Sequence, residues 1–358
     1  MICKRLIPAA TAALLTILVA MLAGPADGAE RSYTLVAVGD IMLGTNYPSD
    51  NLPADSSKTL AAAAPLIAAA TIATGNLEGV MLDAGGTVKT CANPSSCHVF
   101  RMPERYAGLL SAAGIDHVSM ANNHSGDFGP AGRSATIRNL KSSGVSSTGL
   151  VGVNESAVVV RDGIRYGFAS FSVSSGTLKA TDYKKAREVV GSLQTDSACS
   201  IIVVNMHVGA EGAGHSRVTR SREMYLGEDR GNPYEFARVV IDAGADIVIG
   251  HGPHVARAVD LYKGRFIAYS LGNFATATGV SISGKSGYAP LVQVETDKEG
   301  KFLGGRIHSF IQSGANGSRR PVVDSTCAPI REIRRLTVED GVGVGMSIGE
   351  DGRIGVQR

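Results

Sequence analysis

Four of the eight histidines in this 358-residue chain fall in short segments rich in Gly, Asn and Asp. Five segments stand out: Val38-Gly39-Asp40, Gly75-Asn76-Leu77-Glu78, Ala121-Asn122-Asn123-His124, Asn205-Met206-His207-Val208-Gly209 and Gly250-His251-Gly252-Pro253-His254. Each falls where a strand should end and a loop begin. Carboxylate, amide and imidazole groups recurring at successive strand ends suit a metal-centred hydrolytic site, and a buried core needs none of them.

The segments differ in what they say alone. Asp40 follows an apolar run and a glycine, where open α/β sheets place their ligand crevices. By itself it reads first as a turn or helix-cap aspartate. Asn76 and Glu78 are two residues apart and share a face if the chain is extended. An amide and a carboxylate together suit a hard or borderline cation. In Asn122-Asn123-His124, the Asn123 carbonyl is a candidate ligand and His124 a candidate proton donor to a leaving group. Asp127, three residues on, can hold and orient that imidazole. His207 ends an apolar run, with Gly209 and Glu211 behind it, and its candidacy rests on its company. His251 and His254, joined by Gly-Pro in a rigid turn, can converge on one or two cations. His98, His117 and His308 read as structural or surface residues, and His215 lies in a glycine-rich charged loop. Arg217, Arg220, Arg222 and Arg230 crowd the long segment before Asn232. Guanidinium groups there suit carboxylates or phosphates, and the length suggests a lid.

The elements that must position these groups follow from pattern. Strands are predicted over residues 33–38, 71–74, 117–120, 199–206 and 246–249, each leading into one of the segments. Helices are predicted over 57–70, with Pro65 as a kink or break, and from Pro103 to about Gly114. Others run from Pro130 to about Gly144, over 182–193 and over 235–243. Asp162-Gly163 and Lys263-Gly264 mark hairpins. Later strands are expected at 291–295, 305–312 and 333–338. Strand–helix alternation followed by hairpins is an α/β pattern with mixed sheets in one domain.

Composition bounds the rest. A net charge of +3 with no basic run argues against a nucleic-acid partner. The absence of Trp weakens any case for stacking on sugars or bases. Lys4 and Arg5, the apolar stretch 6–23 and the small residues of 24–29 read as a signal peptide over residues 1–29, or as a retained anchor. Either reading exports the rest of the chain to the periplasm, the medium or the outer face of the membrane. Cys91, Cys97, Cys199 and Cys327 remain after the signal, and an even number outside the cytoplasm suggests two disulfides. Cys91 with Cys97 would close a small loop, and Cys199 with Cys327 would tie the C-terminal segment to the core; buried free thiols are the alternative.

Taken in order, these segments resemble the CapA family of bacterial capsule-synthesis proteins, linked to poly-gamma-glutamate and similar to the calcineurin-like metallophosphoesterases. The matching stretches include Val38 to Gly44, Gly75 to Glu78, Ala121 to His124 with Asp127, His207-Val208-Gly209 with Glu211, Gly250 to Val255, and Tyr269-Ser270-Leu271-Gly272-Asn273-Phe274. The resemblance implies a four-layer αββα sandwich over about residues 30–320, with 321–358 as an extension packed on it. It implies one or two divalent cations (manganese, zinc or calcium) held by Asp40, Glu78, Asn123, His207, His251 and His254. His124 then matches the general acid, with Asp127 beside it, and Asn76, Glu211 and Asn273 are candidate substrate contacts. Two departures are visible: Asp40-Ile41-Met42 lacks the histidine of the wider superfamily's Asp-x-His, and Gly75-Asn76 replaces its Gly-Asp. The expected function is metal-dependent hydrolysis of an envelope phosphoester or a gamma-glutamyl polymer. The alternative is a non-catalytic, metal- and polymer-binding component of a capsule synthesis or export complex. Expected partners are an anionic envelope or capsule polymer and membrane capsule-synthesis proteins.

Overall fold

Apolar strands that alternate in period two build two mixed sheets in the computed structural model, which describes residues 32–91 and 97–357. The expected signal segment lies outside the described residues. In the larger sheet the strands Tyr33–Met42, Ile72–Leu77, His117–Ser119 and Ser146–Thr148 run parallel side by side. Asn273–Thr276 adds parallel to the end of the first. Antiparallel strands Leu291–Thr296, Phe302–His308, Arg353–Val356 and Met346–Ile348 continue from its other edge. In the smaller sheet Arg265–Ala268, Ile247–His251, Ile201–His207 and Ile164–Ser172 are parallel. The hairpin partners Val259–Tyr262 and Ser156–Arg161 flank them.

Alternation sorts the side chains of the two sheets between the core that separates them and the cores under the covering helices. Leu35 and Ala37 meet Val203, Ile247 and Ile249 between the sheets. Val36 and Val38 point the other way, toward Ile67, Leu110 and Leu140 on the covering helices. Ile202, Val204 and Val248 pack on Val190, Phe236 and Val240 of helices Tyr183–Thr195 and Pro233–Asp242. The result is the expected αββα sandwich. Full burial of each such side chain stabilises by about 1.5–3 kcal/mol.

Two glycines let backbones approach at the strand ends. A Cβ on Gly39 would lie 2.0 Å from the Gly272 carbonyl oxygen, and one on Gly250 would lie 2.0 Å from that of Tyr269. Both glycines precede a site residue, so Asp40 and His251 owe their positions to a missing side chain.

Three expectations are corrected. The 57–70 helix is only Ala64–Ala68, with turns before it, and Pro65 opens it instead of kinking it. Proline costs nothing at a first turn, where its missing N–H has no partner to lose. Residues 333–338 are not a strand but lie in the helix Ala328–Glu339, which buries Ile330, Ile333, Leu336 and Thr337. The spacing of these residues is helical, and β-branched composition hid it. Cys91 and Cys97 are bridged, whereas Cys199 and Cys327 are free thiols. Cys199 packs under the helices of the smaller sheet and Cys327 against the core between the sheets, so that sheet separates them.

Candidate metal centre

Parallel strands put their ends, and the polar segments that follow, on one edge of the sandwich. Register aligns them further: Asp40 lies opposite both Asn76 and Asn273, and His251 opposite His207. Asp40, Asn76, His207, His251 and Asn273 are all fully or almost fully buried there.

Asp40, Glu78 and His254 offer ligand atoms that all lie within 4.8 Å of one another. Two more imidazoles join them. His251 Nδ1 is 3.5 Å from Asp40 Oδ1, and His207 Nε2 is 3.9 Å from Glu78 Oε1. His254 Nδ1 donates to Asp40 Oδ2 at 3.1 Å and to Asn273 Oδ1 at 3.0 Å, leaving Nε2 3.7 Å from Glu78 Oε1. Asn273 Nδ2 donates back to the His254 carbonyl, holding a residue whose φ is +56°. That left-handed backbone is uncommon outside glycine, and it turns His254 back toward Asp40.

Glu78 Oε1, His207 Nε2 and His251 Nδ1 are buried with no hydrogen-bond partner. Each such atom costs about 1–3 kcal/mol when left unpaired. A divalent cation among imidazole nitrogens and carboxylate oxygens would satisfy all three, so the residues present fit such an ion.

Charge is distributed accordingly. Burial would raise Asp40, but the close approach of His251 and the hydrogen bond and charge of His254 overcome it and hold the carboxyl well below the usual range. Burial pushes Glu78 up, helped by Asp40 and Glu211 and opposed by His254. Burial also opposes charge on His254, yet Glu78 and Asp40 raise it above an ordinary histidine. His207 is held well below its usual value by burial.

Beside this cluster, His124 Nδ1 lies 2.9 Å from Asp127 Oδ2. Asp127 also accepts from the Phe100 backbone N–H at 2.7 Å and pairs with Lys89 at 2.6 Å. With Nδ1–H held by a carboxylate, Nε2 is the atom of His124 that exchanges a proton. Burial lowers His124, and Asp127 only partly restores it.

The remaining expected residues separate into groups. Asn76 Nδ2 donates to Asp40 Oδ1 at 2.8 Å, and its Oδ1 accepts from Asn122, so it braces the carboxylate. Asn123 Oδ1 is buried with no hydrogen-bond partner. Glu211 pairs with Arg230. Of the four arginines, Arg217 pairs with Glu339 and Asp340, and Arg222 with Asp229; Arg220 binds the Gly341 carbonyl. Only Arg230 is buried.

Sequence reasoning assigned no role to Lys89, Phe100 or Asn205, although Asn205 opens one of the five segments. Asn205 Oδ1 lies 3.4 Å from His251 Nε2, which points the other nitrogen of that ring at Asp40. An asparagine inside the apolar run 201–206 was a readable signal. The tilted ring of Phe100, 4.4 Å from His124, and Lys89 both come from a loop with no pattern to read.

Fold and site together define a two-sheet α/β sandwich with a histidine–carboxylate centre at its strand ends. The chain belongs to the bacterial capsule synthesis protein family PGA_cap, which it matches over residues 34–278. It is 25% identical over 332 residues to capsule biosynthesis protein CapA of Bacillus anthracis, covering 88% of this chain and 75% of that protein. It is 28% identical over 200 residues to PGA biosynthesis protein CapA of Bacillus subtilis (strain 168), covering 51% of this chain and 47% of that one. Among solved structures it is similar to a 5'-nucleotidase precursor from Thermus thermophilus. The TM-score there is 0.45 with 14% identity, covering 78% of this chain and 54% of that one.

Proposed function

We propose that this protein is an exported, metal-dependent hydrolase of capsule-polymer metabolism, acting on an envelope phosphoester or on gamma-glutamyl links. One observation carries the reading. Glu78, His207 and His251 each bring an unpaired buried atom to the centre that Asp40 and His254 already share. The imidazole-rich set favours manganese or zinc over calcium, which takes oxygen ligands. A bound cation of this kind supplies an acidified water and a Lewis-acid contact.

The chain's own groups do the rest. Asp127 and the Phe100 N–H fix His124 so that Nε2 can pass a proton to the leaving group. Asn76, Asn205 and Asn273 hold Asp40, His251 and His254 in register. The N-terminal apolar segment and the Cys91–Cys97 bridge support an oxidising, exported setting. An anionic envelope or capsule polymer, with membrane capsule-synthesis proteins, remains the proposed set of partners.

A second reading is a non-catalytic component that grips polymer through one cation. Met42 in place of the superfamily histidine and the full engagement of Asn76 favour it, because both reduce the ligands left for a second ion.

The deciding experiment is elemental analysis of the purified protein and of His251→Ala after equilibration with manganese, zinc and calcium. About one or two equivalents in wild type, lost in the variant, are expected. Metal absent from both proteins sinks the hydrolase reading. Metal bound without turnover of phosphodiesters or gamma-glutamyl polymer leaves the binding reading standing.

A further inference from the structure

We propose that Arg230 is the anion-receiving residue of this site: its guanidinium takes the oxygens of a phosphate or carboxylate held at the cation centre, displacing Glu211. The proposal rests on the cation-centre reading above.

Arg230 is an unusual charge to find inside the protein. It is 5% exposed, and its Nε is buried without a hydrogen-bond partner. Its Nη2 is paired with Glu211 and its Nη1 lies 3.4 Å from Glu228, whose side chain is 74% exposed. The fork is therefore paired at its tips, and at its base the buried Nε has no partner.

Backbone geometry ties it to the centre. The Arg230 carbonyl accepts from Gly209 N at 2.8 Å, two residues beyond His207. Gly212 N, one residue beyond Glu211, donates to the Pro253 carbonyl at 2.9 Å, next to His254. Arg230 and Glu211 are thus laced to both imidazole segments. Arg230 acts electrostatically on Glu78 and on His207, as expected for a cation at the rim of the cluster.

Charge balance explains the exchange. Asp40 and Glu78 together neutralise a dication, so an anion arriving there needs a further positive group. Arg230 is that group, and Glu211 compensates it until a ligand arrives. A planar guanidinium suits phosphate and carboxylate alike because both present paired oxygens to its N–H fork.

The test is calorimetric titration of the manganese-loaded full chain with inorganic phosphate and, separately, with glutarate. The two arms distinguish phosphate from carboxylate. Arg230→Gln is expected to weaken the bound anion by about 10- to 100-fold, the range for a charged hydrogen bond. Arg230→Lys, which keeps the charge and loses the fork, is expected to fall between. Manganese stoichiometry is expected to stay at the wild-type value in both. Glu211→Gln frees the guanidinium and is expected to tighten the anion.

Equal anion affinity in wild type and Arg230→Gln overturns the proposal. So does loss of manganese from that variant, which would make Arg230 a support of the centre. Anion binding weakened by Glu211→Gln also overturns it. If the wild type takes no manganese, the cation reading has failed and the same titrations on metal-free protein still decide. Anion binding lost with Arg230→Gln keeps the receptor, and no binding at all overturns it.

Discussion

Asp40 Oδ2 lies 3.1 Å from His254 Nδ1, although 214 positions separate the two residues. Asp40 lies in a strand of the larger sheet, and His254 follows a strand of the smaller one. The contact therefore joins the two sheets at the edge where their parallel strands end. It also orients His254, since the nitrogen held by Asp40 and Asn273 leaves the other one facing Glu78.

Metal binding is expected to tighten as pH rises. Burial and like charge raise Glu78, and Glu78 and Asp40 outweigh burial to raise His254 as well. Both groups favour their protonated forms in the metal-free protein, and a cation must displace protons to reach them. Calorimetry near neutral pH in buffers of different ionisation heat should show release of about one to two protons per cation. Affinity that is flat with pH would remove Glu78 and His254 from the ligand set.

His124→Ala is expected to lower turnover by about 10²- to 10⁴-fold, the usual contribution of a positioned acid–base group. Metal content is expected to be unchanged. Asp127→Asn should lower turnover by a smaller factor, because the ring keeps its place and loses its carboxylate. Capsule function that survives His124→Ala but not His251→Ala would mean that the cation binds polymer without cleaving it.

Arg257 is wholly buried and makes two hydrogen bonds to Glu223, at 2.9 and 2.8 Å. It also donates to the Ala210 carbonyl, while Glu223 accepts from Ala210 N. This pair pins the segment carrying Glu211. Arg257→Met is expected to cost about 3–5 kcal/mol, because it strands a buried carboxylate. Replacing both residues, Arg257→Met with Glu223→Leu, should recover most of that loss. Urea unfolding of the three proteins measures both effects.

His117 predicts an acid sensitivity. It is buried between Thr74 and Thr148 and stacks on Phe168 at 4.0 Å. Burial lowers it from 6.5 to about 3. Its folded value lies below its unfolded one, so the unfolded chain takes the proton first. The stability it contributes is full above about 6.5 and is lost as pH falls toward about 3. At about 1.4 kcal/mol per pH unit, the loss from pH 6.5 to 5 is about 2 kcal/mol. Urea unfolding near pH 7 and pH 5 should show His117→Gln less acid-sensitive by that amount. An equal loss in both proteins would show that the buried ring does not titrate in this way.

The readable part of the site was the part that lies on regular strands. Asp40, His207 and His251 each close an apolar run, and parallel strands deliver their ends to one edge, so local pattern was enough to group them. Gly39 and Gly250 were readable as well, although what they avoid is a carbonyl of a segment following another strand. Strand–helix alternation gave an α/β pattern with mixed sheets, and the four-layer arrangement was implied by the family resemblance. The helix Ala328–Glu339 escaped because its β-branched residues resemble a strand when read six at a time.

What the chain determined alone was therefore which residues end strands and which chemistry they carry. Secondary structure is local, and a period of two or of 3.6 residues is written in neighbouring side chains. The tertiary structure decided which of those residues meet. It brought Lys89 to Asp127, Asn205 to His251 and Arg230 to Glu211, and it left Cys199 and Cys327 on opposite faces of the smaller sheet. Each of these outcomes depends on loop paths and sheet packing, whose energies are sums over distant contacts that no short window of sequence contains.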